Sequence, residues 1–173
     1  KYNGTQTTTG TITVSSGSWT AGVQVVSIIS LGTSTSGELI ADDGKTRIYI
    51  KDGVFEKQGF IEIITFPEIT PAIKEANADD DDTPEVDRIE GTLRQFIVHN
   101  MPATFTAAII ITMPYDDAND DGRVDNIELK EIDEESLCIY RLIGSQWVKV
   151  SGSTVDTKAN TVSAPVTHFS YFI

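Results

Sequence analysis

The chain of 173 residues carries 26 acidic against 13 basic side chains, a formal charge of −13, with one cysteine and two histidines. That length buries a core without staples, while a lone Cys138 excludes an internal disulfide and a thiolate zinc site; hard, oxygen-binding cations stay open. The acidity disfavours nucleic acid and anionic membranes, whose phosphates call for a basic patch, and no apolar run approaches the roughly 20 residues that span a bilayer.

The charge is unevenly spread. Seventeen of the 26 acids fall within residues 79–90 and 116–135, and the remainder of the chain is close to neutral. Such clustering suits local cation chemistry or solvated loops better than a general solubility device. Abundant Ser and Thr with almost no Cys point to an extracellular, cell-surface setting.

Residues 1–35 read as a Ser/Thr/Gly-rich N-terminal extension with strand potential in "GTITVSS" and "GVQVVSIIS", and "LGTSTSGE" reads as a linker to a main domain over 36–173. In that domain "GELIADD", "KTRIYIKDG" and "GFIEIITF" are short β-branched and aromatic runs bounded by Gly or Asp, which predicts strands and turns. The stretch "PEITPAIKEANADDDDTPEVD" predicts a long acidic loop; its run Asp79–Asp82 lacks glycine and alternation, so it reads as solvated rather than as a second cation site. Strands resume at "IEGTLRQFIVHN" and "TFTAAIIITMP", and after a second acidic stretch come "SLCIYRL", "QWVKV", "TVDTKANTVSA" and "VTHFSYFI". About ten strand candidates without helical periodicity predict an all-β antiparallel sandwich.

The second acidic stretch, "DANDDGRVDNIE", fills a twelve-position calcium-loop pattern. With Asp117 at position 1, Asn119 stands at position 3, Asp121 at 5, Gly122 at 6, Asp125 at 9 and Glu128 at 12, while the Arg123 carbonyl supplies position 7. Three short oxygen side chains at alternate positions wrap one side of a hard cation, a positive-φ glycine turns the backbone, and the final glutamate closes the cage. Val124 is the apolar anchor. The flanks differ from an EF-hand: "AAIIITMPY" is β-branched and carries Pro114, so no helix enters the loop. The expectation is a Ca2+-clamped loop between two strands, with a dissociation constant on the order of 10⁻⁴ to 10⁻³ M. Tenfold saturation then adds only about 1.4 kcal/mol of stability, so the ion orders the loop more than it decides folding.

The string "ATFTAAIIITMPYDDA … DEESLCIYRLIGSQWVKVSGSTVDTKANTVSAPVTHFSYF" resembles ZU5-like β-sandwich domains of microbial cell-surface proteins and of ankyrin-type and death-domain proteins in animals. "GELIADDGKTRIYIKDGVF" is similar to the early hairpin of the same fold, and the resemblance spans about residues 36–173. In some animal relatives an "HFS" tripeptide cleaves itself, which here implies attack by the Ser170 hydroxyl on the Phe169 carbonyl with His168 assisting. The residues themselves support a plainer reading, in which they belong to the final strand with Phe169 inward and His168 and Ser170 on the other face. Cys138, Trp19 and Trp147 read as core residues, and His99 shows no partner pattern.

These readings together predict a non-enzymatic structural or adhesive module whose partners are other surface domains or copies of itself. Three alternatives accompany it: a surface filament or layer subunit assembled by donating an N-terminal strand, an autoproteolytic domain, and a glycan-binding module using a tryptophan or the calcium loop.

Overall fold

The computed structural model describes residues 7–9, 25–31, 36–41, 43–51, 53–55, 59–66, 89, 91–125 and 131–173. Twelve strands lie among them: β1 Thr7–Thr9, β2 Val25–Leu31, β3 Gly37–Ile40, β4 Arg47–Ile50, β5 Gly59–Thr65, β6 Arg94–His99, β7 Thr104–Pro114, β8 Tyr140–Ile143, β9 Gln146–Lys149, β10 Thr154–Asp156, β11 Thr161–His168 and β12 Tyr171–Phe172. They form a sheet of order β1-β2-β5-β6-β12-β8-β9 and a second of order β10-β11-β7-β4-β3, antiparallel throughout. The all-β antiparallel sandwich expected from the strand pattern is the observed architecture.

Period-two alternation explains which faces meet. Ile48 and Ile50 of β4, Ile61 and Ile63 of β5, Ile109, Ile111 and Met113 of β7, and Val162, Ala164 and Val166 of β11 are all buried in one core between the sheets. Each of the Ile, Val and Met side chains contributes about 1.5–3 kcal/mol on full burial. Gly59 opens β5 where a Cβ would collide with the Met101 side chain and the His99 carbonyl, so only glycine fits there.

β2, from the segment predicted as an extension, pairs with β5 of the same chain from Val25 opposite Thr65 to Leu31 opposite Gly59. "GTITVSS", Trp19 and the acidic loop with Asp79–Asp82 lie outside the described residues.

The last predicted strand, "VTHFSYFI", is in fact two strands in two sheets. β11 ends at His168 in the smaller sheet and β12 begins at Tyr171 in the larger, so Phe169 and Ser170 carry the chain from one sheet to the other. The reason lies in the register. Val162, Ala164 and Val166 point inward, and strict alternation would put His168 inward next; a register shift between Val166 and His168 instead leaves His168 half-buried and turns Phe169 into the core. Phe169 then sits between Phe105 of β7 and Phe96 of β6, at ring-centroid distances of 4.8 and 5.4 Å.

A polar tie also joins the sheets. Arg94, at the start of β6, is buried and donates to Asp43 Oδ2 at 3.2 Å, Thr46 Oγ1 at 2.9 Å and the carbonyls of Gly91 and Leu93 at 2.7 and 3.0 Å. Asp43, in the turn between β3 and β4, also accepts from the Thr46 hydroxyl and from the backbone N–H groups of Lys45 and Thr46. Each of the three guanidinium nitrogens thereby has an acceptor, as burial of a charge requires.

Candidate functional site

β7 leaves the core at Pro114 and delivers Tyr115, Asp116 and Asp117 to one end of the sandwich. Tyr115 and Asp117 continue the inward alternation of β7 and are buried, whereas Asp116 points out and pairs with Lys45 at 3.6 Å. Asp117, position 1 of the calcium-loop pattern, is thus a carboxylate at only 3% exposure, and its Oδ1 has no hydrogen-bond partner among the described residues.

The loop beyond it is a series of side chain to backbone turns. Asn119 Oδ1 accepts from the Asp121 N–H at 3.1 Å, and Asp121 Oδ1 accepts from the Arg123 N–H at 3.1 Å. Gly122 takes the predicted positive φ, 83°. The Asp125 carboxylate reaches back to the Ala118 N–H at 2.7 Å, and the Asp125 N–H donates to the Asp116 carbonyl, also at 2.7 Å, which closes the loop on itself. Val124 is buried in the main core, as its anchor role requires.

Two neighbours hold this loop, neither of them visible in the motif. Downstream, Arg123 bridges Asp133 as an isolated antiparallel pair, with Val124 N–H donating to the Ile132 carbonyl and Glu134 N–H to the Gly122 carbonyl; Arg123 also forms an ion pair with Glu131. That bridge sets Glu134, in the 3₁₀ turn Glu134–Ser136, directly behind Gly122, with Oε1 4.0 Å from where a Gly122 Cβ would stand. From the other side Asn160, in the turn between β10 and β11, donates its amide to the Asp117 carbonyl at 2.7 Å, and its own Oδ1 is buried without a partner.

Glu134 is 7% exposed and accepts from the Tyr115 hydroxyl at 2.7 Å. Burial, this hydrogen bond and the charges of Glu134, Asp117 and Asp156 all push the Tyr115 hydroxyl pKa up, which keeps it a neutral donor to Glu134. Asp117, Asp120 and Glu134 line one cavity of about 320 Å³ with Thr157 and Lys158. A larger groove of about 750 Å³ runs from Asp117 and Asp125 along Arg47, Thr112 and Ser163.

Of the sequence-predicted ligands, Asp117 is buried, Asn119, Asp121 and Arg123 are on the exposed rim, Asp125 is half-buried, and Glu128 lies outside the described residues. Among the described residues no three Asp, Glu, His or Cys side chains form a group that holds a metal. The positive-φ glycine of the loop and its buried first aspartate, one carboxylate oxygen of which has no partner among the described residues, fit the donor chemistry of a hard cation. Glu134 escaped the sequence reading because it lies beyond the twelve-residue window, and the bridge that brings it in has no signature of its own.

The HFS residues are arranged for packing. Ser170 Oγ donates to the Leu142 carbonyl at 2.9 Å, its own carbonyl accepts from the Phe96 N–H at 3.0 Å, and no hydrogen bond joins it to His168. A hydroxyl donating to a carbonyl has no base to take its proton. Intact mass spectrometry is expected to show the full-length chain for the parent and for Ser170→Ala alike, and a species ending at Phe169 in the parent alone would overturn this. Trp147 is buried with Phe66 and Leu93 in a small satellite core, Cys138 is half-buried, and His99 bonds Glu62 at 2.8 Å. Among the described residues no helix is long and apolar enough to cross a membrane.

Compared with known proteins, the chain matches no family model, no curated protein and no solved structure. What the coordinates define is the class, an antiparallel β-sandwich with an acidic loop at one end.

Proposed function

We propose that the chain is a non-enzymatic extracellular module of a microbial surface protein, structural or adhesive in role, with Ca2+ bound at the 117–128 loop as a stiffener. The observation that carries this is the Asp117 carboxylate, buried at the head of a complete calcium-loop pattern with one oxygen unpartnered. An orphaned buried anion costs folding free energy of a few kcal/mol, and a divalent cation offsets that cost where neighbouring carbonyls and carboxylates share it. The ZU5-like resemblance adds the surface setting, and other surface domains or copies of the chain are its expected partners.

The chemistry the ion supplies is coordination alone: it ties the loop leaving β7 to the sandwich end. Asn119 and Asp121 hold the loop backbone in shape, Gly122 permits its sharp turn, and Val124 pins it to the core. Calorimetric titration with Ca2+ is expected to give a single site of sub-millimolar to millimolar affinity, on the order of 10⁻⁴ to 10⁻³ M. Asp121→Ala and Glu128→Ala are each expected to weaken it by about tenfold or more. Absence of binding heat in the parent chain overturns the proposal.

A further inference from the structure

Resting on the calcium reading above, we propose that Glu134, outside the twelve-residue motif, is a direct ligand of the ion, so that the cation staples the loop to the segment that follows it. Four observations converge on Glu134. It is an acid at 7% exposure, its backbone N–H is bonded to the Gly122 carbonyl at 3.2 Å, one carboxylate oxygen is oriented by the Tyr115 hydroxyl at 2.7 Å, and it shares a cavity wall with the orphaned Asp117 carboxylate.

A buried carboxylate on a cavity wall, held by a neutral hydroxyl on one oxygen, is arranged as ligating carboxylates are by their outer partners. Neither Asp117 nor Glu134 has a cationic partner among the described residues: the only cationic side chain on the cavity wall, Lys158, forms no ion pair with either. Two buried acids lining one cavity without a counter-charge repel each other, and a divalent cation between them turns that repulsion into a site. Asn160 holds Asp117 in place from the other side, its amide donating to the Asp117 backbone carbonyl at 2.7 Å.

The test uses the full chain with two readouts. Ca2+ titration is expected to show at least about tenfold weaker binding for Glu134→Gln, with partial recovery in Glu134→Asp, which keeps the charge on a shorter arm. Europium luminescence decay in light and heavy water then counts ion-bound waters, and Glu134→Ala is expected to add at least one, which a role confined to loop shape would not do. Unchanged affinity or an unchanged water count in the Glu134 variants, with Asp121→Ala still weakening binding, overturns the role of Glu134 and leaves the loop site standing. No binding of Ca2+ or Eu3+ by the parent removes both. Should Glu134→Gln or Glu134→Ala fail to fold, Glu134→Asp decides: parental affinity overturns the proposal, and a clear loss with an added bound water supports it.

Discussion

Arg94→Ala is expected to destabilise the protein by about 3–4 kcal/mol, near the lower end of what removing one partner of a buried ion pair costs. The guanidinium is 4% exposed and ties the larger sheet to the β3–β4 turn of the smaller one through Asp43 and Thr46. Its removal leaves the part-buried Asp43 carboxylate without its counter-charge and the carbonyls of Gly91 and Leu93 without their donor. Three further hydrogen bonds to Asp43 survive, which is why the upper end of the range is not reached. At about 2–4 °C per kcal/mol for a domain of this size, the melting temperature falls by roughly 10 °C. A cycle with Asp43→Ala is expected to give a coupling of about 1–3 kcal/mol; additive effects would mean that the pair does not act as a unit.

The same tie sets an acid limit. Burial by itself raises the Asp43 pKa, but the Thr46 hydroxyl, the N–H groups of Lys45 and Thr46 and the Arg94 charge together outweigh it and hold the group below its ordinary value of 3.8. A carboxylate depressed in the folded state contributes stability that is complete above the unfolded pKa and disappears as pH falls through the folded one. Denaturant melts are therefore expected to be flat in this contribution above about pH 5 and to lose it below about pH 4, with a shallower acid limb in Arg94→Ala. Equal acid slopes in the two proteins would contradict the assignment.

Phe169→Ala carries the other large effect, about 3–5 kcal/mol, the usual cost of deleting a buried aromatic ring. The ring is 4% exposed and fills the gap between the sheets where the chain crosses from one to the other. It meets Phe105 edge-on and Phe96 at a tilt, so truncation opens a cavity that rigid strands on both sides cannot collapse. Urea unfolding followed by tryptophan fluorescence is expected to show a lowered midpoint with an unchanged slope. His168→Ala, at the half-buried neighbouring position, is expected to stay within about 1 kcal/mol of the parent. A reversed order would show that the tripeptide does something other than pack.

The strands were legible because alternation is a local property: "RIYI" and "GFIEIIT" announce one buried and one open face, and both faces are as expected. The acidic loop was legible for the same reason, since the αL glycine and the side chain to backbone turns at Asn119 and Asp121 depend on residues two apart. The reading of "VTHFSYFI" as one strand failed at a single register shift, which alternation does not reveal in advance. Glu134 and Asn160 were missed because each reaches the head of the loop, at the Tyr115 hydroxyl and at the Asp117 carbonyl, through a different piece of chain.

By itself, then, the sequence determined what neighbours in the chain impose: β structure, turn positions, the exclusion of an internal disulfide and a thiolate zinc site, and an acidic loop with calcium-loop spacing. Only the tertiary structure decided which strands share a sheet, that Arg94 meets Asp43 across 51 residues, and that buried Asp117 and Glu134 line one cavity. The physical reason is range. Periodicity and turn chemistry act over a few residues, whereas ion pairs, crossovers and cavities come from closing the two sheets on one core, and that closure brings together groups the chain itself keeps apart.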